Sequence, residues 1–148
     1  MKTYKENCPE LKIQLKAGQI KKAQIKSSKD SADFFRILWD DSIGIYESFF
    51  CIYLNNANNT IGWYKVSQGG IAGTVVDIRL IMKKALDVLA TSMIMCHNHP
   101  AGTLSPSQAD IILTEKIKQA GMFLDIKVID HIILTEEGYY SFLDEGKI

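Results

Sequence analysis

The sequence predicts an α/β domain in which a mixed β-sheet carries packed helices, and three observations lead there. The chain has 148 residues, 47% apolar and 23% charged, the size and balance of one ordinary globular domain. Runs rich in aromatic and β-branched residues alternate with segments whose apolar residues recur at helical spacing. Two of the strand-like runs are joined by a short turn while others are separated by helices, which places paired strands and interspersed helices in one sheet. There is no internal repeat, no low-complexity tract and no apolar run approaching the roughly 18 residues that would span a bilayer, so solenoid, collagen-like and membrane-spanning classes are excluded.

The first elements follow from local pattern. Residues 1–27 form a basic arm: residues 1–30 hold eight lysines against Glu6, Glu10 and Asp30, a charge of +5, which leaves −5 for the remainder of a chain that is neutral overall. A solvated surface explains this arm more simply than a nucleic-acid site, because it lacks arginine and interleaved aromatics; a weak nucleic-acid contact is its alternative use. Within it, Leu11 to Lys16 alternates apolar and polar residues and is expected to be an edge strand guarded by lysines. The lysine spacing of Met1 to Gly18 leaves no apolar block of the secretory kind, which points to the cytoplasm. Cys8, Cys51 and Cys96 are odd in number and lack a C-x-x-C, as expected of reduced thiols.

The body spans residues 28–148. Ser27 to Asp30 reads S-x-x-D and predicts a helix start, followed by the stripe Ala32, Phe35 and Leu38, with Gly44 beyond its end. Tyr46 to Leu54 and Ile61 to Val66 are strands of a hairpin that turns over Asn55 to Thr60. Gly69, Gly70 and Gly73 make a flexible connection into a helix capped by Asp77, with Ile78, Ile81, Met82, Ala85 and Leu89 on one face. The G-K-[ST] of a phosphate-binding loop is missing there, so the connection is read as structural. Ser92 to His97 is an apolar strand. A helix from Pro106 to Ala120 follows, capped by Ser105 with Pro106 in the first position and Gln108 closing the capping box, and with Ala109, Ile112, Leu113, Ile117 and Ala120 facing inward. Leu124 to Val128, His131 to Thr135 and Tyr139 to Phe142 are expected to be three short strands.

The residues that carry chemistry begin at His97-Asn98-His99-Pro100. In an extended segment side chains alternate, so His97 and His99 share a side with α-carbons roughly 6.5 Å apart, a gap two imidazoles can close onto one ion. Ser107 and Asp110, three apart on the next helix, share a face. With capping assigned to Ser105 and Gln108, they are left without a structural task, and the helix dipole favours an ionised Asp110. Two imidazoles and one carboxylate are the ligand count of a catalytic zinc site, which keeps a fourth position for solvent. Hydrolysis also needs a proton shuttle. Glu47, at the head of an apolar strand before Phe49 and Phe50, is the best candidate, since desolvation there would raise its pKa; standing alone it would be read as a surface glutamate.

Glu47, then His97-x-His99, seven residues, Ser107, two residues and Asp110 resembles the JAMM metalloprotease signature of the JAB/MPN superfamily. Ser67-Gln68-Gly69-Gly70, Gly73 to Asp77, Asp130-His131 and Tyr140-Ser141-Phe142 are similar to its RadC branch, and the resemblance covers residues 28–148. It implies a single-domain α-β-α sandwich with a mixed central sheet, similar to cytidine deaminases. It further implies Zn2+ held by His97, His99 and Asp110, Glu47 as acid and base, and Ser107 as donor to a tetrahedral oxyanion. The implied reaction is hydrolysis of peptide or isopeptide bonds in a polypeptide substrate. The competing function is a DNA-repair or mobile-element-associated DNA-binding protein with a non-catalytic metal site. The helix-hairpin-helix module of fuller RadC proteins has no counterpart in the 46 residues before Glu47. His131 is read as a satisfied core histidine in preference to a group supporting the site, and Cys96 as packing on the opposite face from His97. An HNH nuclease and a zinc deaminase are both excluded, the latter because H-x-E and P-C-x-x-C are missing.

Overall fold

The computed structural model describes residues 7–69 and 75–148. Its elements run α1 (Ser28–Leu38), β1 (Ser48–Leu54), β2 (Thr60–Gln68), α2 (Ile78–Asp87), β3 (Ser92–Asn98), α3 (Gln108–Phe123), β4 (Lys127–Leu134) and β5 (Tyr139–Ser141). The five strands form one sheet in the order β2-β1-β3-β4-β5. β1 runs antiparallel to both β2 and β3, β3 runs parallel to β4 with α3 as the crossover, and β4 is antiparallel to β5. The sheet is therefore mixed, as predicted.

Strand alternation sorts the core into two layers. On one face Phe49, Cys51, Tyr53, Met93, Met95 and Val128 pack against Ile81, Met82 and Ala85 of α2 and Ile117 of α3. On the other, Phe50, Ile52, Leu54, Ile94, Cys96, Ile132 and Leu134 meet Ala32, Phe34 and Phe35 of α1. β1 and β3, central and covered on both sides, are buried at every residue, whereas the edge strand β2 is only half-buried. The result is an α/β/α sandwich. The predicted caps of the first two helices are present: Ser27 accepts from the Asp30 N–H, and Asp77 from that of Arg79.

Several expectations are corrected. Leu11 to Lys16 forms no strand, and Leu11 is 93% exposed. A six-residue alternation carries no direction unless a sheet edge receives it, and the arm reaches the sheet only later, through an isolated bridge between Gln24 and Asn59. The two strands expected at 124–128 and 131–135 are one strand, β4, because Asp130 and His131 are buried within it with their polar atoms bonded. Leu89 lies past the end of α2, exposed and at φ 55°. In α3 Ala109 and Ile112 are exposed, and the buried positions are Thr114, Ile117 and Gly121. The helix is capped by Ser107, two residues later than predicted. Gly70 and Gly73 lie outside the described residues.

Candidate metal centre

The end of β3 and the first turn of α3 meet at one end of the sheet. In the β1–β3 ladder Phe49 pairs with His97. Glu47 and His99 lie just beyond the ends of β1 and β3 and line the same cleft as that pair. His97 Nε2 and His99 Nε2 are 3.0 Å apart. Asp110 closes the triangle, with Oδ1 3.3 Å from His97 Nε2 and Oδ2 3.4 Å from His99 Nε2. Tetrahedral zinc with bonds of about 2.0–2.1 Å keeps its ligand atoms about 3.3–3.4 Å from one another, so these three side chains could hold a metal ion with little movement.

Donor and acceptor roles around the triangle show why a cation fits. His99 Nδ1 lies 2.7 Å from the Thr103 carbonyl oxygen, which can only accept, so His99 carries a hydrogen on Nδ1 and, when neutral, has its lone pair on Nε2. His97 Nδ1 is engaged at 2.8 Å by His131 Nε2. Burial would by itself raise the Asp110 carboxyl, but its hydrogen bonds with His97 and His99 outweigh that and hold it well below the usual carboxylate range. By accepting a hydrogen bond from Nε2 of the charged ring, the Asp110 carboxylate raises the His99 imidazole above its ordinary value. Both directions describe a position that favours positive charge. His131 behaves in the opposite way, since complete burial pushes its imidazole well below the ordinary range and keeps it neutral.

Asp110 is positioned by the capping box that had been expected two residues earlier. Its Oδ2 accepts from the Ser107 N–H and the Ser107 hydroxyl, each at 2.7 Å, and its own N–H donates to Ser107 Oγ at 3.1 Å. The carboxylate is thus anchored through Oδ2 while Oδ1 is turned toward His97. Ser107 sits at the mouth of the site, with its hydroxyl hydrogen on Asp110 in this arrangement.

Glu47 lines the same cleft as His97, His99, Ser107 and Asp110, a space of about 560 Å³ walled by Phe49, Val76 and Leu113. Its placement depends on Asn98, whose side chain points to the other side of β3 and is fully buried. Asn98 Nδ2 donates to the Ile43 and Tyr46 carbonyls at 2.6 and 2.8 Å, and the Ser48 N–H donates to Asn98 Oδ1 at 2.7 Å. The backbone on both sides of Glu47 is therefore tied to the strand that bears the histidines.

All five residues singled out in the sequence, Glu47, His97, His99, Ser107 and Asp110, line this one cleft. Sequence reasoning missed Asn98, Thr114 and the contact between His131 and His97. The available signal for Thr114 was a polar residue placed four after Asp110, on the face that also buries Ile117. Cys96 is buried with the opposite core layer, as expected.

Fold and site together define an α/β domain of the JAB/MPN type with a His/Asp group able to hold a metal ion. A family model described as a RadC-like JAB domain matches residues 25–147. The chain is 49% identical over 127 residues to a UPF0758 protein of Flavobacterium johnsoniae, covering 86% of this chain and 55% of that protein. To a UPF0758 protein of Porphyromonas gingivalis it is 42% identical over 101 residues, 68% of this chain and 44% of the relative. A third, from Ralstonia nicotianae, is 34% identical over 138 residues, 93% of this chain and 59% of the relative. The chain belongs to the RadC-like JAB domain family, and it spans about half the length of these relatives.

Proposed function

We propose that the chain is a zinc-dependent hydrolase of the JAMM type that cleaves peptide or isopeptide bonds of a polypeptide. The observation that carries this reading is the triangle of His97, His99 and Asp110, two imidazoles brought to 3.0 Å beside a carboxylate, in a cleft that Glu47 shares. His97 Nε2, His99 Nε2 and Asp110 Oδ1 would hold the ion. When bound, zinc supplies Lewis acidity, which polarises a carbonyl and eases the ionisation of water. Glu47 then accepts a proton from the attacking water and returns it to the leaving amine nitrogen. The Ser107 hydroxyl, rotating from Asp110 Oδ2, donates to the carbonyl oxygen as that atom gains negative charge, while the Ser107 N–H keeps Asp110 in place. Phe49, Val76 and Leu113 give the cleft an apolar wall that limits water around the reacting bond. Cys8, Cys51 and Cys96 are all unpaired, which supports a reducing compartment such as the cytoplasm, and no helix among the described residues is long and apolar enough to cross a membrane.

The test is digestion of a peptide and isopeptide library by the zinc-loaded protein, with and without chelator, beside Glu47→Gln. The substitution is expected to keep the metal and to lower turnover by about 10²- to 10⁴-fold, the usual contribution of a positioned acid–base group. Full turnover by Glu47→Gln would remove Glu47 from the scheme. Cleavage indifferent to chelator would remove the metal.

A further inference from the structure

We propose that Thr114 and His131 form a buried relay that fixes the ring hydrogen of His97 on Nδ1, so that Nε2 presents its lone pair to the metal position. The inference concerns ion binding and rests on the reading of His97, His99 and Asp110 as ligands. It starts from two short contacts of one hydroxyl: Thr114 Oγ1 lies 2.6 Å from the Asp110 carbonyl oxygen and 2.6 Å from His131 Nδ1. A carbonyl oxygen can only accept, so the single hydroxyl hydrogen lies toward Asp110. Thr114 must then accept from His131, which places the His131 hydrogen on Nδ1. The neutral ring keeps a lone pair on Nε2, and His97 Nδ1, 2.8 Å away, must donate to it. With both rings neutral, any other placement of the hydrogens along these three contacts sets two lone pairs or two hydrogens against each other in a region closed to solvent, for His131 is 0% and Thr114 3% exposed. The Nε2 lone pairs of His97 and His99 then face each other at 3.0 Å beside the Asp110 carboxylate, a repulsion that a cation between them relieves.

The relay is rigid for reasons of packing. The His131 ring stacks on Phe142 at 4.9 Å between centroids and leans on Phe49 at 5.5 Å. Its path begins at the backbone of one proposed ligand, Asp110, and ends on the ring of another, His97, whose Nε2 returns to within 3.3 Å of the Asp110 side chain. The loop joins the start of α3, the middle of β4 and the end of β3. His131 and Thr114 touch no position where substrate or ion would sit, so they are positioning residues that act through His97.

Removing the Thr114 hydroxyl breaks the relay without changing the side chain's shape. In Thr114→Val, His131 Nδ1–H would be buried without an acceptor. The hydrogen instead moves to His131 Nε2, which donates to His97 Nδ1, and His97 must carry its hydrogen on Nε2, pointing into the metal position. Each ring keeps one hydrogen throughout. Thr114→Ser restores the acceptor and the donor.

The experiment has two readouts. In metal-free protein with ¹⁵N-labelled histidine at alkaline pH, ring nitrogen spectra of the three histidines report which nitrogen bears hydrogen. The wild type and Thr114→Ser are expected to show Nδ1–H at His97 and His131, and Thr114→Val to show Nε2–H at both. Zinc affinity by chelator competition is expected to fall about 10- to 100-fold in Thr114→Val and to recover in Thr114→Ser. Nε2–H at His97 in the wild type overturns the relay whether or not any variant folds. Wild-type affinity in a folded Thr114→Val overturns its role in ion binding. A wild type that shows the expected tautomers but binds no zinc overturns the reading of the ligands while leaving the relay in place.

Discussion

Asp110 carries two tasks on one carboxylate, closing the capping box of α3 through Oδ2 and offering Oδ1 beside His97. In the sequence these tasks looked exclusive, because Ser105, Pro106 and Gln108 also satisfy the pattern of a helix start; the chain caps at Ser107 instead. The residue types of the site were legible from their spacing, yet the elimination that freed Asp110 from structural duty was wrong, and the cap turns out to be what orients its carboxylate. Thr114 was illegible for a related reason: a lone hydroxyl in an apolar stripe gives no hint of its partners until β4 is laid alongside. Asp110→Asn should separate the two tasks. Its amide oxygen can still accept from the Ser107 N–H, so the helix should persist, with its cap weakened by about 1 kcal/mol or less. Zinc affinity should fall by more than the about 100-fold that bounds the loss of a supporting partner, since a charged ligand is gone. Unfolding curves and chelator competition measure the two effects separately.

Among the elements, those with a clean periodicity were readable and those interrupted by polar residues were not. β1 and β3 are continuous apolar runs and were found with ends within two residues. β4 was split because Asp130 looks like a break; in the strand its carboxylate accepts from the His131 and Leu143 N–H groups at 2.7 and 2.9 Å and from the Ser141 hydroxyl at 2.6 Å. The junction of α3 and β4 shows a further constraint hidden from periodicity. A Cβ added at Gly121 would lie 2.4 Å from the Ile126 carbonyl oxygen. Helix propensity alone would favour Gly121→Ala by about 1 kcal/mol. The contact is with backbone, which cannot rotate away, and overpacking of this kind costs about 1–3 kcal/mol. We expect net destabilisation, read as a lower urea midpoint with an unchanged slope; a rise in the midpoint would show that the turn after α3 yields.

For the molecule as a whole, the sandwich divides labour between its faces. The α1 side packs on Phe50, Ile52 and Leu54, whereas the α2/α3 side ends in the cleft. The β1–β2 hairpin was legible from its turn, but the rest of the order β2-β1-β3-β4-β5 depends on long-range pairing that no local pattern states, so Glu47 could be proposed as a partner of the histidines from its residue type and from resemblance, not from strand neighbours. Because the site joins β3 to α3, ion binding should be felt in global stability. The sign with pH can be worked out. His99 is raised in the folded protein, so its contribution is complete below its unfolded value near about 6.5 and is lost as pH rises through the folded value. Asp110 is lowered, so its contribution is present above about 3.9 and is lost as pH falls through its folded value. Metal-free protein should therefore be most stable between those limits and weaken on the alkaline side. Zinc requires neutral imidazoles and should reverse that trend, adding about 2.7 kcal/mol at a free concentration of 100 times Kd. Melting temperatures against pH, in chelator and in zinc, should diverge above neutrality; parallel curves would contradict the ligand assignment.

The clasp of Asn98 on the Ile43, Tyr46 and Ser48 backbone gives the arrangement a mechanical property. The tip of β3 and the segment bearing Glu47 are riveted at three points, so thermal breathing at that end of the sheet moves them as one plate. A drift of the histidines carries Glu47 with it, and the spacing between them is preserved by cross-linking through a single amide, with no need for a stiff loop.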